Sequence, residues 1–140
     1  MSDARLSAEQ VQAAFDASPF LAFLGLRVVA LDHDAATLTV VMPMRPELER
    51  RLGTGQFHGG PIAAFIDAVG DFAIGMAVGG GVPTINLRID YLRPAVGGSL
   101  TATARVRRAG RTVALVDVDV YDEQQTLVAV GRGTYSGQRG

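Results

Sequence analysis

The stretch GQFHGGPIAAFIDAVGDFAIG, residues 55–75, decides how this chain is read. Pro61 suits the first turn of a helix, where its missing N–H costs nothing. Beyond it, Ile62, Phe65, Ile66, Val69, Phe72, Ile74 and Met76 cover most of a helical circumference. Gly79-Gly80-Gly81 supplies the stop, because glycine takes the left-handed cap conformation at little cost. A helix apolar on all sides must be wrapped by other elements. Into this helix the chain sets two carboxylates, Asp67 and Asp71, at positions where the pattern asks for core.

The flanking segments supply the wrapping. Downstream, Thr84–Arg93 alternates, with Ile85, Leu87, Ile89 and Tyr91 on one face and Thr84, Asn86, Arg88 and Asp90 on the other. Leu100–Arg107, Thr112–Tyr121 and Thr126–Tyr135 read as strands joined by short turns, which predicts an antiparallel meander. Upstream, Leu26–Ala30 and Thr37–Met42 read as two more strands around a turn that holds His33, expected to be exposed. Ser7-Ala8-Glu9-Gln10 is a capping-box pattern that predicts a helix to about Ala17. Ser18-Pro19 ends it, and Phe20–Gly25 reads as a further helical turn. The segment from Pro43 to Gly55 is a long irregular loop, a length at which loops often carry function. The expected architecture is α+β, one antiparallel sheet curled around one long buried helix.

Composition narrows the function classes. The 140 residues fit one domain spanning 1–140. A net charge of −1 gives no basic field for nucleic acid. The absence of cysteine excludes disulfides, thiolate metal sites and a cysteine nucleophile, and fits a reducing, cytoplasmic setting. MSDARLSAEQ lacks the apolar core of a signal peptide. Asp67, Gly70 and Asp71 interrupt the longest apolar run, which argues against a membrane span. Every cation is an arginine, so a Schiff-base lysine and a phosphate-loop lysine are excluded.

Chemistry concentrates in the opening stretch. His58-Gly59-Gly60 places free N–H groups at the positive end of a helix dipole, a setting for a developing oxyanion. The same residues also read as a plain tight turn. Asp67 and Asp71, four apart, share one helix face, where repulsion and burial raise the pKa of one of them toward acid–base use. The alternative is a polar stripe facing solvent or capping nearby strands. His58 reads as a residue that bonds backbone and orients the loop rather than as a base. The two histidines lack ligand-spaced carboxylates, so no metal site is expected. Gly59 and Asp67 are eight residues apart, about 12 Å along one helix. They cannot readily serve one carbonyl, so the spacing predicts a homodimer, with sites shared across a two-fold axis.

The segments HGGPIAAFIDAVGDFA and TINLRIDYLRPA, in this order, resemble the hotdog-fold acyl-CoA thioesterases of the PaaI-like type, and the resemblance runs from about Pro19 to Tyr135. It implies hydrolysis of an acyl-CoA thioester without a cofactor, by a homodimer or a dimer of dimers. It makes Asp67 the catalytic base or nucleophile and Gly59 the residue whose N–H polarises the thioester carbonyl. His58 and Gly60 flank that donor. Thr84 matches a Ser or Thr that helps place the water, and Asn86 and Tyr91 line the substrate cleft. Arg108, Gly110, Arg111 and Thr112 resemble the turn that contacts CoA, although a solvated hairpin reads equally well there. Leu52 departs from the Asn or Gln that many relatives carry, with Gln56 as a substitute nearby. Asp71 is not expected in the family; it either meets the acyl group or tunes Asp67. A non-catalytic acyl-CoA-binding module and an acyl-thioester hydratase or dehydratase are the alternatives.

Overall fold

A computed structural model describes residues 4–140; Met1–Asp3, at the start of the expected domain, lie outside the described residues. Helices α1 (Ala8–Ala17) and α2 (Pro19–Leu24) lead into strands β1 (Arg27–Asp32) and β2 (Thr37–Pro43). A 3-10 turn (Pro46–Leu48) and an irregular loop precede α3 (Gly59–Val78). Strands β3 (Thr84–Tyr91), β4 (Ser99–Ala109), β5 (Val113–Tyr121) and β6 (Leu127–Ser136) follow. The capping box at α1 forms as expected: Ser7 Oγ accepts from the Gln10 N–H at 3.2 Å, and Gln10 Oε1 accepts from the Ser7 N–H at 2.8 Å.

One antiparallel sheet, in the order β1-β2-β4-β5-β6-β3, curls around α3. Its inner face carries Leu38, Val40 and Met42 from β2, Leu100, Ala102 and Ala104 from β4, and Val116, Val118 and Val120 from β5, all buried. Against them α3 buries Ile62, Phe65, Ile66, Val69, Phe72, Ile74 and Met76, the residues expected from the all-round apolar pattern. The helix is long and apolar enough to cross a bilayer, but most of it is buried inside this fold. It ends at Gly79, with φ 98° in the left-handed region.

The meander needs one correction. β4, β5 and β6 are successive neighbours, but β3 pairs with β6 rather than β4. The chain therefore returns through residues 92–98 across the N-terminal end of α3. That link is held to the preceding loop by Phe57 N–H to Ala95 O (2.8 Å) and Gly97 N–H to Gly55 O (3.0 Å). A sheet must span both flanks of a helix to enclose it, and alternation within each strand carries no information about which neighbour it pairs with. This order leaves β1 and β3 as edges. His33, expected to be exposed, is half-buried, with Nε2 2.8 Å from the Leu6 carbonyl.

Tyr135 is the wedge between sheet and helix. Its ring is fully buried, and its hydroxyl donates to the Asp67 carbonyl at 3.1 Å. Two glycines make room for it: a Cβ on Gly70 or on Gly133 would come within 2.3 Å of the tyrosine side chain. Overpacking a core costs about 1–3 kcal/mol, against about 1 kcal/mol of helix propensity gained by alanine. Gly70→Ala is accordingly expected to lower the unfolding free energy in denaturant titrations. Tyr135→Phe in the same chain should recover part of the loss, because the shortest contact is to the hydroxyl. A Gly70→Ala protein as stable as the parent would contradict the wedge.

Candidate active site

The first group of residues gathers where α3 begins. His58 is the N-cap, with φ −68° and ψ 154°, and its N–H donates to the Leu48 carbonyl at 2.8 Å. Its exposed side chain makes no hydrogen bond among the described residues, so the expected loop-orienting role belongs to its backbone rather than its imidazole. The N–H groups of Gly59 and Gly60 find no acceptor among the described residues and stand at the positive end of the helix. Tyr91 reaches across from β3, and its hydroxyl donates to the Gly59 carbonyl at 2.7 Å. A cavity of about 330 Å³ opens here, lined by Gln56, His58, Gly59, Tyr91 and Arg93 among others. Leu52 stands away from it on the loop, 81% exposed.

The second group lies one helical stretch further on. Asp67 is half-buried, and its Oδ1 accepts from the Thr84 hydroxyl at 2.8 Å. Strict alternation would put Thr84 on the face opposite Leu87 and Ile89, which pack toward the core. A β-bulge resolves this: the register with β6 skips Ile85, so Thr84 also turns to the helix while Ile85 is thrown outward, 58% exposed. Asp71, half-buried, accepts from the Val82 N–H at 2.7 Å and lies beside Gly81. Burial pushes its carboxyl up to about 7; the Val82 N–H opposes the rise and the Asp67 charge adds to it. Burial, and then the charges of Asp67 and Asp71, push the Tyr135 hydroxyl up as well. At Asp71, desolvation outweighs repulsion as the cause of the rise.

The third group sits at the opposite end of α3. Arg108 folds back on its own hairpin, donating to the Val113 carbonyl at 3.1 Å, and the Gly110 N–H donates to the same oxygen. Arg111 and Thr112 are exposed, and the Thr112 carbonyl accepts from the Gly137 N–H. Gly110 and Arg111 border a second cavity of about 370 Å³, walled by Ala73, Ile74 and Met76 of α3. Within one chain the structure therefore unites His58, Gly59 and Tyr91, and separately Asp67, Thr84 and Asp71. It does not bring these two groups together, or either of them to residues 108–112. Asn86 is exposed on β3 without a side-chain hydrogen bond among the described residues. No three His, Asp or Glu side chains cluster as a metal site among the described residues. The Asp71–Val82 and Asp67–Thr84 contacts fit the reading of the aspartates as caps of a nearby strand, whereas the Tyr135 wedge is not among the expected features. The alternation Gly131-x-Gly133-x-Tyr135, opposite a helical glycine, was the available sign of a ring needing room.

Comparison with known proteins bears on what this arrangement does. The thioesterase superfamily model matches residues 54–129. The chain is 30% identical to the medium/long-chain acyl-CoA thioesterase YigI of Escherichia coli, covering 84% of each chain. It is 31% identical to the acyl-coenzyme A thioesterase PaaI of the same species, over 79% of this chain and 76% of PaaI. The solved structure of E. coli PaaI superposes with a TM-score of 0.80 at 26% identity, covering 94% of this chain and 92% of that one.

The Asp71 carboxyl yields a prediction about stability. Its folded pKa lies above its unfolded value of 3.8, so the folded state holds the extra proton between about 4 and 7. Unfolding free energy should lose a contribution as pH rises through that window. Asp71→Asn, which does not titrate, should flatten the decline in urea titrations at a series of pH values. An identical pH dependence in parent and variant would contradict the assignment.

Proposed function

The chain belongs to the thioesterase superfamily, whose hotdog architecture it shares, and we propose that it hydrolyses an acyl-CoA thioester to the free acid and CoA. What carries the reading is Asp67: a half-buried carboxylate fixed by the Thr84 hydroxyl, on the same helix as two N–H groups without acceptors among the described residues. Thioester hydrolysis needs an activated oxygen nucleophile and donors aimed at the carbonyl oxygen. As a general base, Asp67 takes a proton from water while the water oxygen attacks the carbonyl carbon. Negative charge gathers on the carbonyl oxygen, facing the Gly59 N–H. The C–S bond then breaks, and CoA leaves as a thiolate that collects a proton. As a nucleophile, Asp67 would instead attack the carbonyl carbon and expel CoA as the thiolate, leaving an anhydride that water hydrolyses to the free acid and the regenerated carboxylate.

The separation of Gly59 from Asp67 supports a site shared between two copies. β3 has one open edge and carries exposed Ile85 and Tyr91, followed by exposed Leu92, with Tyr91 and Leu92 beside the cavity at Gly59. An open apolar edge of this kind invites pairing with a second strand. Antiparallel pairing across a two-fold axis at β3 would carry the start of one α3 toward the Asp67 of the other. Gln56, beside Gly59, takes the polar place that Leu52 leaves, and His58 lines the donor end. Tyr91 steadies the first turn of α3 through the Gly59 carbonyl. The hairpin of Arg108, Gly110, Arg111 and Thr112 offers cationic contacts to the CoA phosphates, with Asn86 and Gly60 along the cleft.

Thiol release from a panel of short, medium, long and aryl acyl-CoAs tests this. The parent should turn over at least one class, and Asp67→Ala should lower kcat by at least about 100-fold. Undiminished turnover in Asp67→Ala would overturn the assignment, and no turnover of any thioester by the parent would overturn the function.

A further inference from the structure

Asp71 is a half-buried acid on α3 for which the proposed reaction has no use. Three observations define its surroundings. Its Oδ1 accepts from the Val82 N–H at 2.7 Å, across the turn that leaves α3. Both its carboxylate oxygens lie against Gly81, where an added Cβ would meet them at 3.5 and 3.7 Å. Two residues after Val82, Thr84 donates to Asp67 at 2.8 Å. Asp67 and Asp71 sit one helical turn apart, so the two carboxylates hold successive points of the same descending segment: Asp71 its backbone at Val82, Asp67 its side chain at Thr84. The segment is pinned at its other face by the Ser136 N–H to the Pro83 carbonyl (2.9 Å) and the Gly140 N–H to the Gly81 carbonyl (3.2 Å). The first of these bonds ties it to β6 and the second to the C-terminal residues. Along α3, the Asp71–Val82 bond holds its height just ahead of Thr84.

That height matters because Thr84 is presented by a bulge. The skipped residue, Ile85, lies outside the regular ladder, so the strand bends beside Thr84 and the aim of Thr84 depends on what holds the chain on either side. Toward β6, Thr84 is paired with Tyr135 and the ladder resumes at Asn86. Toward α3 the restraint is Val82.

We propose that Asp71 is a positioning residue: by holding the Val82 N–H it sets where the bulge at Ile85 presents the Thr84 hydroxyl, and it acts on Asp67 only through that hydroxyl. The inference rests on Asp67 being the reacting carboxylate. An acceptor, rather than a charge, is what the position requires. The charged and titratable groups that face Asp71 are Asp67 on its own helix and Tyr135 on β6, and neither is a cation. An Asp71 that is half-protonated near neutrality keeps a carbonyl oxygen for Val82. This differs from a contact with the acyl group, which would alter substrate choice instead.

A double-mutant cycle with an activity-independent arm tests the inference. Asp71→Ala should lower kcat by about tenfold with KM within about threefold, the scale of one lost hydrogen bond to a reacting group. Asp71→Asn, which keeps an acceptor, should restore most of that rate. In a Thr84→Ala background, Asp71→Ala should cost nothing further, because the two residues act in series. Amide hydrogen exchange at Val82 should accelerate in Asp71→Ala, stay protected in Asp71→Asn and be unmoved by Thr84→Ala, all below each variant's melting temperature. Multiplying losses in the double variant, a changed acyl preference in Asp71→Ala, or unchanged Val82 exchange would each overturn the inference. Should the parent hydrolyse no thioester, the proposed function fails by itself, and the exchange arm still decides whether Asp71 anchors the segment.

Discussion

The constraint on which the structure depends is that α3 has almost no polar face. A twenty-residue helix with apolar side chains on every side cannot pack against one flat layer. The sheet therefore curls, strands arrive from both flanks, and the link through 92–98 crosses the helix start so that β3 can close the far side. Gly131 and Gly133 of β6 let the helix and the Tyr135 ring come close; a Cβ on Gly131 would meet Ile66 at 2.5 Å. Asp67 and Asp71 sit where the enclosure runs out, at the β3 edge. Each carboxylate meets a donor from the segment that closes it, the Val82 N–H or the Thr84 hydroxyl.

That placement explains why two acids share a core-like helix. Asp67 is held by a side chain and stays half-open to solvent, which suits a group that must meet a substrate. Asp71 is held by a backbone N–H and is pushed by burial toward neutrality. A single environment would have made the pair a liability, since like charges one turn apart repel. Their environments differ: Asp67 meets a side-chain hydroxyl, and Asp71 meets a backbone N–H.

Much of this was legible in the sequence. The all-round apolar pattern of residues 62–76 announced a wrapped helix, and the three glycines after it announced its end. The alternation of the later segments announced strands. Which strand neighbours which was not legible, because β3 alternates the same way whether it pairs with β4 or β6. The bulge at Ile85 was hidden for a related reason: Thr84–Tyr91 alternates cleanly on paper, and only the paired register shows the skipped residue. That the aspartates cap a nearby strand is one of the readings the pattern allows, but which backbone N–H Asp71 meets, eleven residues downstream, leaves no mark in a sequence. His58 was read for its side chain, while its backbone does the work at the cap. Spacing did carry the separation of Gly59 from Asp67, since eight residues on one helix have a fixed length.

The central claim is that the donor end of one α3 and the Asp67 of another form a single reacting centre. Gly59→Pro removes the N–H at a first-turn position that tolerates proline, after a His58 already extended at ψ 154°. Asp67→Asn removes the carboxylate. Each homodimer should be inactive in thiol release from acyl-CoA. A heterodimer of the two, isolated by distinct affinity tags, should regain about half the parent rate, because one of its two composite sites is intact. A heterodimer as inactive as either homodimer would contradict the shared site.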